Sequence, residues 1–235
     1  MKILGIDSSG LTASVAVISD GILTGEYTIH NKKTHSQTLL PMISDMLQMA
    51  EIKQEELDCI AVSAGPGSFT GLRIGASTAK GLAWTLGIPV VPVSSLMGLA
   101  ANVTQEGAVV CPIMDARRNQ VYFGIYRITR GLPEVLLEPS AASVEEAVAC
   151  AGRTGEEVIY IGDGVPVFED RIRELSQGGI RFMEPVNRYQ RGASVAAVGT
   201  LLFEKDQYVE AGEFAPVYLR KSQAEREREE AENLS

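Results

Sequence analysis

The sequence predicts an α/β protein of two related lobes, each opening with apolar strands that turn back on themselves. Three observations carry this reading. Apolar segments of strand character alternate with segments of helical period along the chain. The element order from the first residue reads βββαβαβ, and a second apolar strand ending in aspartate restarts it near residue 108. The chain has 235 residues, enough for one large unit or two small lobes that need no covalent staples.

The elements follow in order. Lys2–Asp7 is a short apolar strand, Ser8–Thr12 has turn chemistry, and Ser14–Ser19 is β-branched and apolar. The Asp20-Gly21 pair turns the chain into a third strand, Ile22–Ile29. Leu39, Leu40, Ile43, Met46, Leu47 and Ala50 then recur at helical spacing. Thr34 with Gln37 has the spacing of a capping box, which starts this helix at His35, and Pro41 is expected to kink it. Cys59–Ala64 reads as a buried strand, GPGSFTG as a turn, Gly71–Leu86 as a helix and Pro89–Val93 as a strand. No charge occurs from Gly81 to Gln105, but Pro89, Pro92, three glycines and Ser94-Ser95 break that stretch into helix end, strand and new helix, not a membrane span.

In the second half, Ala108–Met114 is a strand that ends in Asp115, and Val121–Ile128 is another. Helices are expected at Ser143–Gly152, Pro166–Ser176 and Ala193–Lys205, with strands at Val158–Ile161 and Ile180–Met183. The lobes are therefore 1–104 and 105–220. A tail, 221–235, carries Lys221, Arg226 and Arg228 against Glu225, Glu227, Glu229, Glu230 and Glu232.

Composition excludes several functions. Lysine and arginine total 21 against 30 acids, a formal charge of −9, so a free-standing nucleic-acid binder is disfavoured. Three cysteines without a CxxC pair give neither a zinc ribbon nor a secreted disulfide framework. Asp7 comes too early for a signal-peptide core, and a soluble cytoplasmic protein is expected. His30 and His35, the only histidines, stand five apart, which is not the i,i+4 spacing of two metal ligands on a helix, and neither HExxH nor GxSxG occurs.

The loop Gly65-Pro66-Gly67-Ser68-Phe69-Thr70-Gly71 is the most unusual feature. It lacks the Gly-Lys-Ser/Thr of a Walker loop, and no acid between Asp58 and Glu106 could hold a Rossmann ribose. Two readings stand: a glycine-dependent turn capped by Ser68 or Thr70, or an anion cradle at a helix start. Gly71, Gly75, Ala79 and Ala83 form a ridge of small side chains that admits close approach, within the core or from a second protein. Met42, Met46 and Met49 on the preceding helix suit either. Asp7 leads into Ser8-Ser9-Gly10, small enough to hug a phosphate. Its counterpart Asp115 leads into Ala116-Arg117-Arg118-Asn119-Gln120, with no glycine, so a two-lobed nucleotide clamp has lost one half.

GIDSSG with SVAV, HSQTLLPMI, AVSAGPGSFTGLRIG and MDARRNQVYFGIY together resemble the TsaB (YeaZ) family across nearly the whole chain. The resemblance implies an actin-like/Hsp70-like ATPase fold of two ribonuclease-H-like lobes. It implies a non-catalytic partner of a metal-binding paralogue, TsaD, which transfers a threonylcarbamoyl group to the adenosine following the tRNA anticodon. A P-loop ATPase, TsaE, completes that assembly. Partner-binding residues would be His35, Leu39, Met42, Ile43 and Met46 on the first helix and Thr70, Gly71, Arg73, Ile74, Gly75, Thr78 and Ala79 on the second. The same face would give a homodimer in isolation, and Gly75→Arg in the small-residue ridge would disrupt complex formation and modification. Asp7, Ser8, Ser9 and Asp115 would be a vestigial phosphate loop, with no catalytic residue, no metal and at most weak ATP or ADP binding. tRNA would be met only through the complex, and no membrane is involved. The HxxxH metal motif of the paralogue is absent here. The competing reading is an independent actin-like ATPase or kinase, using Asp7, the Ser8–Gly10 turn and Gly162-Asp163-Gly164 around a purine. The glycine-free second turn speaks against it, and no residues for a peptidase are present.

Overall fold

The structure is a computed structural model that describes residues 1–30 and 34–220; the charged tail expected from Lys221 onward lies outside the described residues. The first sheet holds β1 (Lys2–Asp7), β2 (Ala13–Ser19), β3 (Ile22–Ile29), β4 (Cys59–Gly65) and β5 (Val90–Ser94) in the order β3-β2-β1-β4-β5. β1, β2 and β3 are an antiparallel meander, and β4 and β5 continue parallel to β1. Between them run α1 (His35–Met49) and α2 (Phe69–Leu86), with α3 (Ser95–Ala100) following β5. The second sheet holds β6 (Val109–Asp115), β7 (Gln120–Thr129), β8 (Leu132–Ser143), β9 (Val158–Ile161) and β10 (Ile180–Phe182) in the order β10-β9-β6-β7-β8. Its helices are α4 (Val144–Gly152), α5 (Val165–Leu175) and α6 (Gly192–Glu204). Each half thus runs βββαβαβα with the same strand order, which is the duplication read from the sequence and the architecture of the actin-like/Hsp70-like fold.

Local expectations need correction at β8, at the Thr34 cap and at the start of α2. β8 is a twelve-residue strand where none was expected. Pro133 and Pro139 hide it, and they are accommodated because β8 is an edge strand, whose outer side needs no donor. The capping box at Thr34 does not form: its hydroxyl meets Ser36 Oγ at 3.1 Å, and no side chain caps α1. α2 begins two residues earlier than expected, at Phe69, because Ser68 is its N-cap and accepts from the Gly71 amide at 3.2 Å. α1 runs unbroken through Pro41.

Alternation along each strand divides the core into faces. Leu4, Ile6, Val15, Val17, Ile60 and Val62 pack with the inner sides of α1 and α2. Ile3, Cys59, Ala61, Val91 and Val93 face the opposite way, onto Val195, Ala196 and Val198 of α6. The helix thus comes from beyond the second sheet but packs on the first. Its free N-terminal amides find partners there: Gly192 N–H donates to Ser14 Oγ at 2.7 Å and Ala193 N–H to Glu26 Oε1 at 3.1 Å, while Arg191 pairs with the Glu26 carboxylate. Glycines make the contact close, since a Cβ on Gly5 would sit 2.3 Å from the Gly192 carbonyl oxygen and one on Gly199 would sit 2.3 Å from Ala61 Cβ. In return Leu96, Leu99 and Ala100 of α3 pack with Val110, Met114, Tyr126 and Ile128 of the second sheet. A cut at 104/105 separates the sheets, but the helices cross it.

Candidate functional site

The two lobes meet at a cleft of about 460 Å³, lined by Ser9, Gly10, Leu11, Gly67, Ser68 and Phe69 on one side and by Asp115, Arg117, Tyr122 and Asp163 on the other. The duplication brings the two aspartate turns together across it. Asp7 Oδ1 accepts the Ser9 amide at 2.8 Å, and Asp115 Oδ1 accepts the Arg117 amide at 2.8 Å, the same two-residue Asx turn. Gly65 closes β4 with φ +119°, and Gly162 closes β9 with φ +114°. Chemistry separates the halves. Asp7 is buried, and burial raises its pKa above the ordinary carboxylate value, against the Ser63 and Ser9 hydrogen bonds. Besides the Ser9 amide, its carboxylate accepts from Ser9 Oγ at Oδ1, 2.8 Å, and from Ser63 Oγ at Oδ2, 2.5 Å. Asp115 is only part-buried and ion-pairs with Arg117 at 3.3 Å. Arg117, Arg118 and Asn119 all adopt φ between +56° and +65°, a left-handed turn without a glycine.

The GPGSFTG loop proves to be a structural seat. The Ser68 amide donates to the Ser9 carbonyl at 2.7 Å, and Ser8 Oγ donates to the Gly71 carbonyl at 2.9 Å. A Cβ on Gly67 would lie 2.4 Å from Ser9 O, one on Gly71 2.1 Å from Ser8 O, and one on Gly75 2.4 Å from Ser8 Oγ. Carbonyl oxygens of the Ser8-Ser9 turn therefore lie against the start of α2. The Ser68 cap expected in the first of the two readings is present. From the other side, His35 Nε2 meets the Gly10 carbonyl at 3.1 Å, and Gln190 packs so tightly that a Cβ on Gly10 would lie 2.3 Å from its Nε2.

The predicted partner-binding residues divide by burial. Leu39, Met42, Ile43, Met46, Gly71, Gly75 and Ala79 face inward and are buried; His35, Ile74 and Thr78 are half-buried; Thr70 and Arg73 are exposed. The small-residue ridge serves the chain's own turn and core, so Gly75→Arg would strike the fold before any interface. The outer faces of α1 and α2 present different residues, Leu40, Met49 and Trp84, exposed by 52%, 77% and 74%. Sequence reasoning missed Trp84, although it follows Arg73 and Ser77 at helical spacing on the polar side of α2, where a large ring has no core to enter.

Other chemistry finds no support. Burial pushes the Cys59 thiol up to about 12 and Cys111 higher still, so neither is a ready nucleophile. Among the described residues no group of three or more His, Cys, Asp or Glu is placed to hold a metal, and no helix is long and apolar enough to cross a membrane. A second cavity of about 510 Å³ lies on the second lobe between Val148, Arg153, Tyr160 and Leu175 and contains none of the predicted site residues.

Fold and cleft together define a two-lobed protein of the actin-like class with its two aspartate turns at the cleft between the lobes. A family model described as TsaD, tRNA N6-adenosine threonylcarbamoyltransferase, matches residues 24–228. The tRNA threonylcarbamoyladenosine biosynthesis protein TsaB of Bacillus subtilis is 32% identical over 96% of both chains. That of Escherichia coli is 28% identical over 95% of this chain and 96% of its own. The solved structure of YeaZ from Pseudomonas aeruginosa superposes with a TM-score of 0.79 at 27% identity, covering 93% of this chain and 99% of that one. The chain belongs to this threonylcarbamoyladenosine family and, within it, to the TsaB (YeaZ) branch.

Proposed function

We propose that this chain serves tRNA threonylcarbamoyladenosine biosynthesis as a non-catalytic scaffold, docking a TsaD-type paralogue in the cytoplasm through the outer faces of α1 and α2. The observation that carries the reading is the exposure of Leu40, Met49 and Trp84 on these two neighbouring helices. Exposed tryptophan and methionine on a packed helical layer are the side chains from which interface hot spots are made. Thr70 and Arg73 extend this face along α2, while the buried Leu39, Met42, Ile43, Met46, Gly71, Gly75 and Ala79 hold it in shape. What supports the non-catalytic part is that Asp7 is buried and accepts three hydrogen bonds from its own chain, from the Ser9 amide and from the Ser9 and Ser63 hydroxyls. Function then needs no bound nucleotide, and ATP or ADP would bind weakly at most. The charge of −9 favours a tRNA-facing surface on the partner. A TsaE-type P-loop ATPase would join the assembly, and in the partner's absence the same helices would pair two copies of the chain.

The test is calorimetric titration of the TsaD-type paralogue with Trp84→Ala. Truncating a central interface tryptophan costs about 2 kcal/mol or more, so affinity should fall at least ~30-fold. The melting temperature of the chain at concentrations too low for two copies to pair should not move, because the ring is solvent-exposed. Undiminished affinity of both Trp84→Ala and Met49→Ala would sink the docking assignment.

A further inference from the structure

We infer that Phe214–Arg220 is a latch that fixes the two lobes against each other at the mouth of the cleft. The segment starts in the first lobe, where Phe214 is buried in the core and the Lys80 ammonium on α2 donates to the carbonyls of Gly212 at 3.1 Å and Phe214 at 2.9 Å. It then lies along the end of β4. The Val217 amide donates to Ala64 O at 2.7 Å, and the Val217 carbonyl presses so close to Gly65 that a Cβ there would be 2.2 Å from its oxygen. Tyr218 lies against the start of α2, its ring 4.8 Å from that of Phe69, and Arg73 ties the two together. The Arg73 guanidinium sits 4.0 Å from the centre of the Phe69 ring, and its Nε donates to Tyr218 Oη at 3.4 Å. Two residues on, the chain reaches the other lobe, where Arg220 Nη1 donates to the carbonyl of Ala116 at 2.6 Å.

The contact falls on a part of the second lobe that needs outside support. Ala116 opens the β6–β7 turn, in which Arg117, Arg118 and Asn119 are all left-handed. Such residues hold that conformation only when their surroundings determine it. The turn's own ties are the Ala116 amide to Gln120 O, the Gln120 amide to Arg117 O and the Arg117 amide to Asp115. Arg220 adds a tie rooted in the first lobe. Val217, Tyr218, Leu219 and Arg220 all line the cleft, whereas α3 and α6 contribute nothing to its lining. The latch is therefore a second connection between the lobes, separate from the crossed helices. Opening the cleft requires Arg220 to leave Ala116 or Tyr218 to leave Phe69. A partner covering Arg73 would touch the latch as well; this consequence rests on the docking reading above, whereas the latch itself does not.

Hydrogen–deuterium exchange on the full chain tests the latch without any partner, so its failure leaves the docking proposal standing. In Arg220→Ala the amides of residues 115–121 should exchange at least ten-fold faster than in the unmodified chain. Tyr218→Ala removes only a first-lobe contact, yet it should speed the same second-lobe turn, while β1 and β2 stay protected in both variants. Unchanged exchange at 115–121 in both variants overturns the latch, as does a rise spread evenly over both sheets. A rise in Arg220→Ala alone also overturns it, since Arg220 would then be only a local tie of the turn.

Discussion

At the residue scale, one class of contact decides much of this molecule: backbone pressed on the α-carbon of a glycine. Gly71 and Gly81 lie in the same helix but have opposite surroundings. A Cβ on Gly71 meets the Ser8 carbonyl oxygen at 2.1 Å, and nothing lies within 4 Å of one on Gly81. Gly71→Ala should therefore cost about 1–3 kcal/mol through overpacking. Gly81→Ala should gain about 0.5–1 kcal/mol through helix propensity, and urea denaturation of the pair measures both. Asp163 supplies a pH prediction. Burial raises its pKa from 3.8 to about 6, with the neighbouring Asp115 charge acting in the same direction. The unfolded chain then ionises first as pH rises, so stability is lost between about pH 4 and pH 6 and stays lost above. Asp163→Asn keeps an acceptor for the Asp115 amide, which donates to Asp163 Oδ1 at 3.2 Å. It should leave stability unchanged near pH 3.5 and raise it at pH 7 by about 1–3 kcal/mol. Thermal melts at the two pH values read this directly.

At the element scale, α1 and α2 start differently despite their similar roles. Ser68 caps α2 through the Gly71 amide, whereas the Thr34 hydroxyl is turned to Ser36 and caps nothing. Ser68→Ala should cost about 1 kcal/mol and Thr34→Ala close to nothing, measured by denaturant midpoints at constant slope. The contrast explains why the spacing of Thr34 and Gln37 misled: a capping box needs the hydroxyl aimed back at the helix, and a neighbouring hydroxyl competes for it. β8 shows the reverse failure. Pro133 and Pro139 argue against a strand in isolation, and only its position at the sheet edge makes them harmless.

At the scale of the whole molecule, the exchange of helices makes each lobe dependent on chain from the other half. Without α6, the face of the first sheet formed by Ile3, Cys59, Ala61, Val91 and Val93 would lie bare. A fragment of residues 1–104 should therefore fail to unfold cooperatively, and adding a peptide of residues 184–220 in trans should restore a cooperative transition followed by circular dichroism. A fragment that folds unaided would overturn this account of the crossing. The crossing and the cleft-side latch lie at different places, so the cleft is held from two directions.

The sequence by itself determined the βββαβαβ order of the first half and its restart in the second except for β8, most strand and helix bounds, the two aspartate turns and the family, because period, turn residues and local motifs are properties of neighbouring positions. Asp7, Asp115 and the GPGSFTG loop were legible as singular, and the meaning of that loop was not. Whether Gly71 and Gly75 face a partner or the Ser8-Ser9 turn depends on residues more than sixty positions away, and the choice of Leu40, Met49 and Trp84 as the outward side of α1 and α2 depends on which faces pack on the first sheet. Period alone assigns an apolar stripe to a helix, but the stripe is spent on the core before anything is left for a partner. Only the tertiary structure decided which lobe α6 would cover, since its apolar surface suits either sheet and the Ser14, Glu26 and Gly5 contacts that select the first are formed across more than 160 residues of chain.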